Sequence, residues 1–187
     1  MIETKQLTVV DDTLYRFLQR CGEQGYKNND TLESLKFDWC IDIGGAWFAT
    51  YKDNEIISMS GIHPWANGWR ALFRGVQLEA RPIGLNRHHM QSYCFYNQLP
   101  LQMNFAFGDD IDFSNDFVYI TTNTETDASG KMTRINKTFH HLEKQGLVKN
   151  LGEHEVYYVN QNAWILNIEN YIDIRERYDI KNQRNNG

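Results

Sequence analysis

The feature that most narrows the fold of this sequence is how often its hydrophobic period changes. Between Asp11 and Gly25, apolar residues recur at helical spacing, with Leu14, Phe17, Leu18 and Cys21 on one face. From Ala46 to Ala80 the pattern becomes β-rich, in three consecutive runs. Helical spacing returns over Leu85 to about Asn97, yields to a compact β-type run at Phe117–Thr122, and returns at Met132, Ile135, Phe139 and Leu142. A chain that alternates in this way reads as a mixed α/β protein.

The punctuation between these runs supplies the boundaries. Thr4–Val10 reads as a first strand, after which Asp11 and Asp12 cap a helix that Gly22 and Gly25 end. Asp30 and Glu33 have the spacing of a capping box for a second helix whose apolar side is Leu32 and Leu35. The runs Ala46–Tyr51 and Ile56–His63 are joined by Lys52-Asp53-Asn54-Glu55, a hairpin turn. A turn over Pro64–Gly68 leads to a third strand, Ala71–Ala80, and three successive strands predict antiparallel neighbours. The helix from Leu85 carries Met90, Tyr93 and Cys94 on one face and has Pro100 beyond its end. Gly146 stops the later helix, and Glu153–Val159 and Ala163–Ile168 are the last strands. The predicted order is β-α-α-β-β-β-α-β-α-β-β, one domain over residues 1–170, with a polar tail at 171–187.

Charge and cysteine content narrow the function classes. A net charge of −5, with Lys and Arg dispersed, disfavours a dedicated nucleic-acid binder, which draws its affinity from a basic surface. Cys21, Cys40 and Cys94 are scattered and form no CxxC pair, as expected in a reducing compartment. The first residues lack the pattern of a signal peptide, and no apolar run is long enough to span a membrane. The expectation is a cytoplasmic protein with neither nucleic-acid nor membrane partners.

Chemistry concentrates in Leu78-Glu79-Ala80-Arg81-Pro82-Ile83-Gly84-Leu85-Asn86, between a predicted strand and a predicted helix. A helix start offers unpaired backbone N–H groups and the positive end of its dipole, and glycine there lets an anion approach. Such a turn holds phosphate or pyrophosphate, although one glycine before a helix is also simply a turn. Together with the order of elements, it resembles the GNAT superfamily of acyl-CoA-dependent N-acyltransferases. Arg81-x-x-Gly84-x-Asn86 is similar to that family's Arg/Gln-x-x-Gly-x-Gly/Ala turn and departs from it at Asn86. Further on, Asn136 and the run His141-Leu142-Glu143-Lys144-Gln145-Gly146-Leu147 resemble the family's Asn…Leu-Tyr-Glu-Lys-x-Gly-Phe segment. Leu142 stands where many members carry a tyrosine that protonates the departing thiolate.

The resemblance implies a mostly antiparallel central sheet flanked by helices, and acetyl-CoA (acyl-CoA) as co-substrate without a metal. It also implies a primary amine acceptor, small molecule or protein, and a homodimer in many members. It assigns acyl-CoA binding to Val76, Leu78, Arg81, Ile83, Gly84, Leu85, Asn86 and Arg87, together with Asn136. Direct attack by a neutral amine needs a base, for which Glu79 is the candidate, and an oxyanion donor on the strand from Val76 to Glu79. His141 is a candidate replacement acid, because imidazole titrates near neutrality. Both have plainer readings, as an exposed strand carboxylate and a solvent-facing helix residue. Loss of catalysis would leave a silent CoA-binding or interaction module.

Other constellations carry less. Trp65 and Trp69 flank the turn after the hairpin and read either as a wall of an acceptor pocket or as core anchors. The pairs His88-His89 and His140-His141 point about 100° apart on a helix and make no one-faced metal site. Asp109, Asp110 and Asp112 lack the glycine and terminal glutamate of a calcium loop. No nucleophile elbow or Walker loop is present in the sequence.

Overall fold

A computed structural model of the chain describes residues 1–26, 29–74, 93–124, 134–156 and 159–185. They belong to two compact units, Met1–Asp109 and Asp110–Gly187.

In the first unit, β1 (Ile2–Leu7) pairs antiparallel with β2 (Ala46–Lys52), β2 with β3 (Glu55–Trp65), and β3 with β4 (Gly68–Leu72). β1 stops short of the predicted Val10 because Asp11 leaves the sheet to cap α1 (Asp12–Glu23), accepting from the Thr13 and Leu14 N–H groups at 3.0 and 3.2 Å. The hairpin turn at Asp53 and Asn54 has φ of 51° and 66°, the left-handed pair that joins strands in two residues. The next turn is tighter than the predicted Pro64–Gly68. Pro64 and Trp65 stay in β3, Ala66 turns at φ 51°, and β4 resumes at Gly68, three residues before the predicted 71. The rest of that predicted strand, from Gly75, lies outside the described residues.

Two helical details depart from the pattern. The capping box of α2 (Leu32–Leu35) is Thr31 with Ser34: the Ser34 N–H donates to Thr31 Oγ1 at 2.9 Å and the Thr31 N–H to Ser34 Oγ at 3.0 Å. Asp30 instead accepts from the Ser34 hydroxyl, 3.2 Å away, and Glu33 takes no part in the box. Lys36, at φ 59°, then breaks the helix, and α3 (Phe37–Asp42) follows to bury Phe37 and Cys40, three residues apart.

The second departure is at Pro100. Helix does not stop before it but runs through a π-helical turn, Cys94–Gln98, into α4 (Leu99–Phe107). Proline lacks an N–H and its ring crowds the carbonyl four residues back. The chain widens the turn ahead of it, the Leu99 N–H reaching Cys94 O five residues back, and the proline then sits in the first turn of α4.

In the second unit, β7 (Val159–Asn167) pairs antiparallel with both β5 (Phe117–Asn123) and β6 (Lys149–Val156). β6 and β7 each begin four residues before the predicted start, and β6 absorbs an irregularity between Asn150 and Glu153, where Gly152 has φ 84°. Helix α5 (Arg134–Lys144) ends in a Schellman turn at Gly146 (φ 73°), with Gly146 N–H to Glu143 O at 2.9 Å and Leu147 N–H to Leu142 O at 3.0 Å. The polar tail is the body of α6 (Ile168–Asn185), fixed by buried Ile168, Tyr171 and Ile174. The fold is mixed α/β, with helices on mostly antiparallel strands, as the resemblance implies.

Candidate functional site

The turn with the most chemical content, comprising Val76, Leu78, Glu79, Arg81, Ile83, Gly84, Leu85, Asn86 and Arg87, lies outside the described residues. Asn136, Leu142, His141, Trp65 and Trp69 lie within them.

Asn136, on the first turns of α5, is buried in a hydrogen-bonded chain of side chains. Its Oδ1 accepts from Thr122 Oγ1 at 2.7 Å and from Asn162 Nδ2 at 2.9 Å, while Thr122 Oγ1 accepts from Trp164 Nε1 at 2.8 Å. The helix is thus tied to β5 and β7 by polar contacts whose burial makes them costly to break. On the same helix, Leu142 is buried and His141, the next residue, is exposed, with His141 Nε2 lying 3.1 Å from Gln145 Nε2. Consecutive helical residues diverge by about 100°, so the two side chains serve different surroundings. His140 stands edge-on to Trp164 at 5.0 Å, its Nδ1 3.4 Å from Glu143.

The two tryptophans of the β3–β4 hairpin are half-buried, and strand register separates them. Trp65 pairs with Gly68 and Trp69 with Pro64, so Trp69 shares the face of Pro64 and Trp65 the opposite one. Trp69 meets Phe105 of α4 edge-on at 6.1 Å, and Phe105 meets Phe48 at 6.3 Å.

The other face holds a cluster that nothing in the periodicity singles out. His63 and Arg70 are register partners, both buried, and Arg70 Nη1 lies 3.5 Å from His63 Nε2. His63 Nδ1–H donates to Pro64 O at 2.7 Å, which fixes the tautomer, and Trp39 packs edge-on against the ring at 5.0 Å. Burial, with the Arg70 and Arg74 charges adding to it, pushes the His63 imidazole down to about 4, so the ring is neutral at physiological pH. Burial likewise pushes the Cys40 thiol up to about 12, leaving it an unreactive packing group. Centring the turn on Ala66-Asn67 would have paired His63 with Arg70; a turn over Pro64–Gly68 hides that pairing.

Among the solved structures that the fold matches are several acetyltransferases. A GNAT-family protein from Desulfovibrio desulfuricans superposes with a TM-score of 0.57 at 9% identity, over 90% of this chain and 99% of its own. An acetyltransferase from Streptococcus agalactiae 2603 does so at 0.53 and 9% identity, over 89% and 98%. This chain has the GNAT fold. An aminoglycoside 6′-N-acetyltransferase in complex with coenzyme A matches at 0.51 and 14% identity, over 87% of this chain and 94% of its own. No protein-family model and no curated protein matches the sequence. Leu142 of α5 is apolar and buried, a side chain with no proton to give.

Proposed function

We propose that the protein is an N-acyltransferase that moves an acetyl or other acyl group from acyl-CoA to a primary amine. The observation that carries this reading is the GNAT fold over about nine-tenths of the chain, and an Arg81-x-x-Gly84 motif in the sequence, similar to that family's pyrophosphate-binding motif, supports it. Residues 1–170 act as one transferase domain, in the cytoplasm, where three buried cysteines that form no disulfide (Cys21, Cys40 and Cys94) are at home. The acceptor is a small-molecule or protein amine.

In this reading the backbone N–H groups of Ile83 to Arg87 bind the pyrophosphate. The neutral amine nitrogen attacks the thioester carbonyl, its proton passes to Glu79, and a backbone N–H between Val76 and Glu79 holds the oxyanion. Collapse breaks the C–S bond, forms the amide and releases thiolate. Leu142 supplies no proton, and His141 is turned away from it, so the thiolate takes its proton from solvent.

The silent alternative, a CoA-binding module without turnover, draws on the same leucine. Thermal unfolding with acetyl-CoA, against adenosine diphosphate as control, tests what the two readings share. Ligand at about 100 times its Kd raises stability by roughly 2.7 kcal/mol, several degrees for one domain. Gly84→Phe should remove that shift, and a wild type that shows none refutes both readings. Amine-dependent release of free CoA separates enzyme from module.

A further inference from the structure

Strand β1 pairs on one side only, with β2, and ends the strand order. Ile2, Glu3, Lys5 and Gln6 are exposed, Thr4 is half-buried, and Leu7 alone is buried. The register with β2 fixes which backbone groups point away from the sheet. Asp53 N–H donates to Met1 O at 3.3 Å, a pair that continues the Ile2–Lys52 register by one residue. Bonded and non-bonded pairs alternate along an antiparallel ladder. Glu3, Lys5 and Leu7 therefore bond to β2, while Ile2, Thr4 and Gln6 turn their N–H and C=O groups outward. Side chains come closest at non-bonded pairs, and Thr4 Oγ1 lies 3.0 Å from Thr50 Oγ1 of β2. Among the described residues no backbone hydrogen bond takes up the outward groups.

An open strand edge invites pairing, and a lysine in the middle of it is a usual deterrent. Here Lys5 has Glu3 two residues before it on the same face, with Nζ 3.0 Å from Oε2 and both side chains about half exposed. Such a pair adds little to the fold itself. It decides instead which strand the edge accepts. Where a second β1 approaches across a two-fold axis with Thr4 facing Thr4, Ile2 faces Gln6. Every outward residue then meets an outward residue, and each such pair exchanges both of its N–H···O bonds. Glu3 faces the second copy's Lys5 at the closer, non-bonded positions, so the four charges alternate in sign around one face. Sliding by two residues sets Glu3 against Glu3 or Lys5 against Lys5. Sliding by one sets outward groups against inward ones.

We propose that the outer edge of β1 pairs antiparallel with β1 of a second copy of this chain, with Thr4 facing Thr4. The strand carries its own complement, which a foreign strand lacks. The contact is small, so the dimer is of the weak, concentration-dependent class. Acyl-CoA takes no part in it.

Sedimentation velocity of the purified full-length chain tests it, with any affinity tag kept off the N-terminus. Wild type should pass from monomer to dimer as its concentration rises from a few micromolar to several hundred micromolar. Gln6→Pro removes an outward N–H that the β1–β2 ladder does not use, at an exposed position, so the fold should survive, which thermal unfolding checks. It should raise the dimer Kd at least about tenfold. Lys5→Glu sets like charges opposite each other and should raise Kd about tenfold. Glu3→Lys/Lys5→Glu restores the alternation and should return Kd to within about threefold of wild type. A wild type that stays monomeric at the highest concentration overturns the proposal. A dimer that tolerates Gln6→Pro is held elsewhere, which overturns it too. A dimer indifferent to Lys5→Glu, or one that the charge swap fails to restore, refutes the register.

Discussion

The two faces of the β2–β3–β4 sheet in the first unit are built on opposite principles. One face is apolar: Trp47, Ala49, Met59 and Leu72 pack with Leu14, Phe17, Leu18, Leu35 and Phe37 of the helices α1 to α3. The other carries, beside buried Phe48 and Ile62, a lattice of buried hydroxyls and amides. Gln98 Nε2 donates to Thr50 Oγ1 at 3.0 Å and to the Ser58 carbonyl at 3.1 Å, Ser60 donates to Gln98 Oε1, and Gln102 Nε2 donates to Ser60 Oγ. Thr4 and Cys94 extend it at either end, through Thr50 Oγ1 and Ser58 Oγ. Apolar packing is non-directional and gains from every methylene; a polar lattice gains little net but penalises any group left unpaired. The same sheet therefore has one face whose stability is bulk burial and one whose stability depends on completing its hydrogen bonds.

The largest effect separating the faces should come from Trp47. Its indole is fully buried, stacks on Phe37 at 5.6 Å, and donates from Nε1 to Phe37 O at 3.1 Å. It lies over Gly61, where a Cβ would approach the ring to 2.9 Å, so the glycine is required by the close approach of indole and strand. Trp47→Ala should cost about 4 kcal/mol in urea denaturation. A loss below about 1 kcal/mol would show that the apolar face is not the principal source of stability.

The apolar side also carries the unit's one buried imidazole among the described residues, and with it a pH dependence of somewhat smaller size. Unfolded, His63 titrates near 6.5; folded, it is held at about 4. Above pH 6.5 neither state takes the proton, and stability is unaffected. As pH falls from 6.5 toward 4 the unfolded chain gains a proton that the folded chain refuses, and stability declines by on the order of 3 kcal/mol in all. Below about 4 the ring protonates in both states and the slope ends. His63→Gln should flatten urea midpoints across that window. An equal slope in the variant would assign it to other groups.

How far these features were legible follows from the same contrast. Alternation and helical spacing locate α1, β2, β3, β5 and α5 because each buries one apolar face, and Gly146 marks its helix end through a backbone angle that favours glycine. The polar lattice is invisible to that method: Thr50, Ser58 and Ser60 add nothing to an apolar pattern, while Gln98 and Gln102 lie beyond the predicted helix end near Asn97. Helix α3 is too short for a period to show. Asn136 and Leu142 are singled out only by their likeness to a family motif, whereas the His63–Arg70 pair depends on register, which a one-residue change in the turn rewrites.

The finest test of the comparison lies between two glutamines in consecutive turns of the same helical run. Both are fully buried, but Gln98 uses its oxygen and its nitrogen, whereas Gln102 Oε1 is the one buried side-chain polar atom among the described residues with no hydrogen-bond partner. Replacing Gln98 with leucine takes one hydrogen-bond partner from each of Thr50, Ser58 and Ser60 at once and should cost about 2 kcal/mol. Gln102→Met keeps the volume, gives up one hydrogen bond to Ser60, and removes the unpaired carbonyl, so the two terms nearly cancel and the change should stay within about 1 kcal/mol of zero. If instead Gln102→Met costs as much as Gln98→Leu, the carbonyl has a partner in solution. A buried water is the group of the right size and chemistry, and the lattice would then be complete on both glutamines.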